Sequence, residues 1–439
     1  MSKRTERILS LVFLIFLLIA GDRLLTYLLE PLSRAEYFLH DMKEMKKSGE
    51  YPDMIIIGNS RSVYGFDPRV FEEELGLDNV YNASVVGQQI SSKYYIAEAM
   101  IEAFSPKIVI FDIEWQSLND FGTTRTQAKL LGLDRLTGLS KIRYILEAFD
   151  FSEWIYALCK PYRFRDNLFR EGSIAQNLRL KNWLRDTDYA ENYYGTYKGY
   201  DKGSACSEKP FAIGSYGTFD EAEISAENKA YLDRMAELCR ARNISLFIVS
   251  PPLTTMRQLN IGRYQEANDY YKAYAAEKGV PYHNLNMLRD RDEIFPDSYF
   301  YDSGHLCEPG AREASRLYAQ IIRDELEGKD TSDRFYASVD ELRADISRVV
   351  AVGAEILTEG RTVMVRDLRC TAGTSTAPVI DIEVSADGKK YSSVGQVVPR
   401  EDSFDFVWER SRNKIRVKIT ARDAGSGTQA WADYSVVLE

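Results

Sequence analysis

Histidine is scarce in this chain: 439 residues contain three, His40, His283 and His305. None stands in an H-E-x-x-H or comparable ligand cluster, so no transition-metal site is expected and imidazole chemistry has few possible sources. The five cysteines, Cys159, Cys206, Cys239, Cys307 and Cys370, form no C-x-x-C pair. That excludes a zinc ribbon and a thioredoxin-like motif, and an odd count leaves at least one thiol unpaired. An excess of positive charge is also missing. Lys and Arg number 56 against 66 Asp and Glu, a net charge of -10, so the field that binds a phosphate backbone is lacking and nucleic acid is not an expected partner. Neither G-x-x-x-x-G-K-[ST] nor G-x-G-x-x-G follows the first strand-like run, which removes a nucleotide-binding α/β protein, and no cofactor is expected.

One long apolar stretch stands at the N-terminus. Lys3, Arg4 and Arg7 precede residues 8–20, interrupted only by Ser10, and after Gly21, Asp22 and Arg23 a second run covers residues 24–29. The first run alone has the length of a signal-peptide core. No small-x-small cleavage pattern follows it, however, and the combined stretch has the roughly 20 residues that span a bilayer. An uncleaved single-pass anchor in the cell membrane is therefore the expectation, with a cytoplasmic tip and an extracytoplasmic body, because the positive charge precedes the segment.

Beyond the anchor, residues 53–57, 79–82, 107–113, 244–249 and 280–285 read as short buried strands separated by helical spacing. This alternation predicts a flavodoxin-like doubly wound parallel sheet, whose ligands bind beyond the carboxyl ends of the strands. Residues 121–224 break the pattern as an insertion, first helical and then loop-like. It is rich in aromatic residues, among them Trp154, Tyr156, Tyr162, Trp183, Tyr193, Tyr194, Tyr197 and Tyr200. Past residue 328 the chain turns to strand-like segments (361–369, 379–385, 391–398, 405–408, 415–420, 431–438) with a hairpin signal at Asp387-Gly388. The expected organisation is an anchor over residues 1–32, an α/β domain over 33–328 and a β-sandwich over 329–439.

Three groups of residues could carry chemistry. Gly58-Asn59-Ser60 ends the first strand, where a serine places its hydroxyl at the carboxyl edge of the sheet; the same tripeptide is also an ordinary turn composition. Asp302-Ser303-Gly304-His305 puts a carboxylate and an imidazole on one loop before a helix headed by Pro309. A serine nucleophile needs such a base and an orienting partner for it, although Asp302 could equally cap a turn and His305 pack at a helix start. Gly87 follows the second strand, where its amide could help bind an oxyanion or where glycine could simply serve a turn.

In this order and at these strand ends, the three groups resemble the SGNH (GDSL-like) hydrolase superfamily: a serine after the first strand, a glycine after the second, and Asp-x-x-His before the last helix. The third family block, Gly-x-Asn-Asp, is not matched. Here residues 114–120 read Glu-Trp-Gln-Ser-Leu-Asn-Asp, which leaves Asn119 as either a third oxyanion donor or a cap on the insertion's first turn. The run from Gly58 to Pro68 also looks like membrane-associated members that act in cell-surface polysaccharide and teichoic acid acylation. The resemblance implies Ser60 as nucleophile, His305 as base, Asp302 as its partner, and Gly87 with Asn119 around the oxyanion. It further implies an esterase or O-acyltransferase acting on an acylated surface polysaccharide, with a membrane-bound O-acyltransferase as a candidate partner. The rival reading is a non-catalytic assembly factor that keeps the fold.

Overall fold

Five short strands make one parallel sheet: β1 (Met54–Ile57), β2 (Val80–Asn82), β3 (Ile108–Asp112), β4 (Ser245–Ser250) and β5 (Tyr282–Asn284). Their order is β2-β1-β3-β4-β5, the flavodoxin-like arrangement expected from the sequence. The computed structural model describes residues 3–119, 125–186, 196–398, 403–409 and 412–438.

Helices cover both faces, and the period of two along each strand decides which face a residue serves. Ile55, Ile57, Val109, Phe111 and Ile248 pack against α5 (Ile90–Phe104), α6 (Ala226–Ala241) and α7 (Tyr264–Lys278). Met54, Ile56, Ile110, Phe247 and Val249 pack against α4 (Pro68–Leu75) and α8 (Glu308–Leu326). The remaining helices are α1 (Lys3–Leu29), α2 (Arg34–Ser48) and α3 (Ser60–Gly65). Thr5–Leu29 of α1 is long and apolar enough to cross a membrane, with mean hydropathy 2.4 over its most apolar window and none of that window buried. A signal sequence would share those properties.

The insertion is helical at first, with helices at Arg125–Leu133, Gly138–Ala148, Trp154–Leu158, Lys160–Arg163 and Ser173–Asp186. Tyr193 and Tyr194 lie outside the described residues, as does the side chain of Trp183. The insertion grips the end of α1. Asn167 and Asn177 donate to the carbonyl of Leu29 at 2.9 and 3.2 Å, and Lys181 donates to that of Tyr27 at 2.8 Å. These bonds satisfy carbonyls that a helix C-terminus leaves without internal partners.

Toward the C-terminus, Val349–Glu359, Thr362–Ala372 and Phe404–Val407 form one antiparallel sheet. Ser392–Val397, Val379–Ser385, Lys414–Arg422 and Gln429–Val437 form a second. Val352, Val363 and Val365 of the first share a core with Ile382, Val417 and Ile419 of the second. The strand Val349–Glu359 escaped the sequence reading because two register shifts, one beside Gly353, break its period-two pattern. This region is fastened to the α/β body through a further core in which Leu342, Ile346 and Val350 meet Trp115, Leu253 and Met256.

Candidate active site

Ser60 is the first residue of α3, which begins as β1 ends. Asn59 caps the helix, its side-chain oxygen accepting from the Arg61 amide at 2.9 Å, so the Ser60 N–H is a first-turn amide with no carbonyl to meet within the helix. Glycine is required at 58. A Cβ there would collide with the Asp112 carboxylate and the Ser62 hydroxyl. Asp112, at the end of β3, is wholly buried and gathers the turn, accepting from the Asn59 amide at 2.8 Å and the Ser62 hydroxyl at 2.5 Å. Its charge is met by Lys93 of α5, buried as deeply. The sequence reading missed this pair, because a lysine in a helical pattern reads as solvent-facing.

His305 arrives from the opposite end of the fold. Its Nε2 lies 2.7 Å from Ser60 Oγ, and its Nδ1 lies 2.8 Å from Asp302 Oδ2. Asp302 also accepts from the Gly304 amide at 2.7 Å. The ring stacks on Tyr301 at 5.4 Å with 7° between planes and meets Tyr64 edge-on at 5.6 Å, which holds its orientation. Burial acts to raise the Asp302 pKa, but the His305 bond and the Gly304 amide outweigh it and hold the carboxyl below its ordinary value. Asp302 is thus a carboxylate at neutral pH, able to fix the imidazole with Nδ1–H donating toward it and Nε2 free to take a proton.

A second carboxylate braces the other side of the turn. Glu114 pairs with Arg61 at 3.0 Å and accepts from the Asn59 side chain. Burial pushes its pKa up, yet Arg61, Asn59, Lys93 and Arg257 together bring it below the ordinary value.

Ser60 and His305 open into a cleft of about 460 Å³ that Gly87, Gln88, Trp115, Gln116 and Arg257 also line. Gly87 has a φ of +69°, a conformation for which glycine is favoured. Asn119, left open between a third oxyanion donor and a cap, is not among the residues that border this cleft. The turn after β3, closed by the Ser117 amide on the Glu114 carbonyl and the Asn119 amide on the Gln116 carbonyl, carries it away from the cleft, and its side-chain amide is spent on Glu223 at 3.0 Å. Nor do Trp154, Tyr156, Tyr162, Tyr197 or Tyr200 line the cleft. Tyr156 and Tyr162 pack on each other, and Tyr200 is wholly buried. The insertion contributes Gln127, Ala128 and Leu131 instead. Among the described residues no group of three His, Cys, Asp or Glu side chains is placed to hold a metal ion.

Cys307, two residues beyond His305, is bonded to Cys206 of the insertion, 101 residues away. The bridge ties the His305 loop to a segment that also meets it through the Ser207 amide, which donates to the Phe300 carbonyl at 2.8 Å. Replacing both cysteines by serine is expected to cost about 2–4 kcal/mol of stability, read as a lower melting temperature that reductant reproduces in the wild type and does not lower further in the double variant.

A protein-family model that carries no descriptive name matches residues 215–327, the part of the chain holding β4, β5 and the Asp302–His305 loop. No curated protein matches the chain. Among solved structures, the chain is similar to a protein assigned to the lipolytic G-D-S-L family from Desulfitobacterium hafniense, at 11% identity over 61% of this chain and 98% of that one, with a TM-score of 0.31. It is similar to a GDSL-like lipase from Bacteroides thetaiotaomicron at 14% identity over 62% and 88%, TM-score 0.29. A protein assigned as an acylhydrolase from Bacteroides fragilis shares 13% identity over 65% and 96%, TM-score 0.30. Likeness at this level carries no activity across; the chemistry has to come from the residues of this chain.

Proposed function

We propose that this chain is an SGNH-type serine hydrolase of acyl esters, working as an esterase or as an O-acyltransferase at a membrane surface. The observation that carries the reading is the hydrogen-bonded series Ser60 Oγ, His305 Nε2, His305 Nδ1 and Asp302 at 2.7 and 2.8 Å. In the first half-reaction Ser60 Oγ bonds to the ester carbonyl carbon as its proton passes to His305 Nε2. The Ser60 amide and the Gly87 loop face the oxyanion that develops. As the tetrahedral species collapses, the C–O bond to the alcohol breaks and His305 returns the proton to the departing oxygen, leaving an acyl group on Ser60. Water or a second hydroxyl, deprotonated by His305, then takes the acyl group.

Four glutamines, Gln88, Gln89, Gln116 and Gln127, border the cleft beside Ile90, Trp115, Ala128 and Leu131, and hydrogen-bonding amides set in an apolar wall suit an acylated polysaccharide of the cell surface. Three features support an extracytoplasmic, membrane-anchored protein. The Cys206–Cys307 disulfide belongs to an oxidising compartment. The hydrogen bonds from Asn167, Asn177 and Lys181 to the last turn of α1 favour a helix that stays with the folded body. In the same insertion, Phe151 and Phe169 are 84% and 87% exposed and Leu158 is 64% exposed, apolar area suited to the headgroup boundary of a bilayer.

Esterase and transferase differ in the second step alone. With p-nitrophenyl acetate as donor, the full chain in detergent is expected to release nitrophenol, and addition of an oligosaccharide acceptor tells the two apart. A transferase yields acetylated oligosaccharide, detected by mass spectrometry, while an esterase yields acetate whatever the acceptor. Absence of any Ser60-dependent release would refute the reading.

A further inference from the structure

Arg257 lies on the short helix Thr255–Leu259 that follows β4, and its guanidinium borders the same cleft as Ser60 and His305. It packs over Trp115 at 5.6 Å and Tyr216 at 5.2 Å. It sits so close to Gly304 that a Cβ there would collide with it. Its Nε is buried without a hydrogen-bond partner, and among the described residues no carboxylate pairs with it. The carboxylates nearby are engaged: Glu114 holds Arg61 and Asn59, and Asp302 holds His305 and Gly304. Burial, then the like charge of Arg61, lowers the pKa of this cation, and Glu114, Tyr216 and Asp302 offset that only in part. A desolvated guanidinium with an unused donor is costly unless a ligand completes it.

A second group points to a ligand in the same cleft. Gln88 is 6% exposed, borders the cleft, and neither its amide nitrogen nor its oxygen has a partner. The indole N–H of Trp115 is likewise buried and unpaired. Donors of this kind around a nucleophile are what a substrate rich in oxygen acceptors would satisfy.

We infer that Arg257 forms a subsite for an anionic oxo group, a carboxylate or a phosphate, carried on the alcohol portion of the ester. This rests on the serine-hydrolase reading above. The side of the cleft follows from the proton path: His305 protonates the departing alcohol, so the alcohol lies on the His305 side, and Arg257 is packed on Gly304, the residue before His305. The planar guanidinium suits the paired oxygens of either anion.

The test compares three acetyl esters with the full chain in detergent at low salt: O-acetylated methyl glucuronoside, O-acetylated glucose 6-phosphate and O-acetylated methyl glucoside. The wild type is expected to favour one of the acidic esters over the neutral one by tenfold or more in kcat/KM. Arg257→Gln should bring that ratio to about one, Arg257→Lys should keep part of it, and rising salt should erode it. Which acidic ester is favoured identifies carboxylate or phosphate. Calorimetry separates this inference from the activity: Ser60→Ala protein is expected to bind glucuronate or glucose 6-phosphate at least tenfold more tightly than glucose, and Ser60→Ala/Arg257→Gln protein should lose the preference. If the three sugars bind alike, or the preference survives Arg257→Gln, the subsite is overturned even where nitrophenyl acetate is hydrolysed. If no ester is cleaved but the acid preference depends on Arg257, the subsite stands and the hydrolase reading falls.

Discussion

Ser60→Ala and His305→Ala are each expected to lower turnover of p-nitrophenyl acetate by about 10⁴-fold or more, to a residual that the oxyanion donors and binding alone supply. The two effects should not add. With the nucleophile gone the base has no proton to take, so the double variant should be no worse than either single one. Asp302→Asn is expected to fall in the same range, because an amide lets the ring adopt the wrong tautomer while the geometry persists. None of the three should move the melting temperature far. Ser60 and His305 face an open cleft, and what holds the turn is Gly58, Asn59 and Asp112. Steady-state kinetics and thermal unfolding on the same preparations check both halves, and a His305→Ala protein that keeps wild-type turnover would remove His305 as the base.

The second large effect lies beneath the site. Asp112→Asn leaves Lys93 charged in the interior with its carboxylate removed, and breaking such a pair costs about 3–5 kcal/mol, a large part of the roughly 5–15 kcal/mol that holds a domain folded. Turnover should fall as well, since the Asn59 amide and the Ser62 hydroxyl lose the acceptor that sets the Ser60 turn. A double variant separates the two. Lys93→Met with Asp112→Leu replaces both charges by apolar groups and is expected to recover most of the stability, because buried ion pairs owe much of their cost of rupture to the charge left behind. What it does not recover is the share held by the Asn59 amide and the Ser62 hydroxyl, which stay without their acceptor, and turnover should stay low for the same reason. Recovery of both would mean that Asp112 serves the core and has no part in placing Ser60.

How much of this was legible in the sequence depended on whether the signal was local. The strands β1 and β3 are short apolar runs buried on both faces, and they stand within a residue of where the pattern put them. Asp302 and His305 are three residues apart on one loop, so their proximity needed no knowledge of the fold. Ser60 needed only the end of β1. The parts that stayed out of reach required long-range information. The sequence left Asn119 open between two roles, because nothing local foretells the tight turn after β3 or the contact of its side chain with Glu223. Lys93 and Asp112, like Cys206 and Cys307, are joined only by the docking of separate segments. Arg257 sits in a five-residue helix with no pattern of its own. The described aromatic residues of the insertion named from the sequence do not line the cleft, in keeping with the common use of large rings for packing.

The central claim is that Ser60 is an activated nucleophile, and a fluorophosphonate probe tests it directly, since such probes phosphonylate serines whose hydroxyl a neighbouring base can deprotonate. Incubated with the full chain in detergent and digested for mass spectrometry, the probe is expected to modify Ser60, and His305→Ala should suppress the modification to background while the protein stays folded. An unmodified Ser60 in folded wild-type protein, or labelling indifferent to His305, would contradict the account and leave the non-catalytic assembly factor as the better reading.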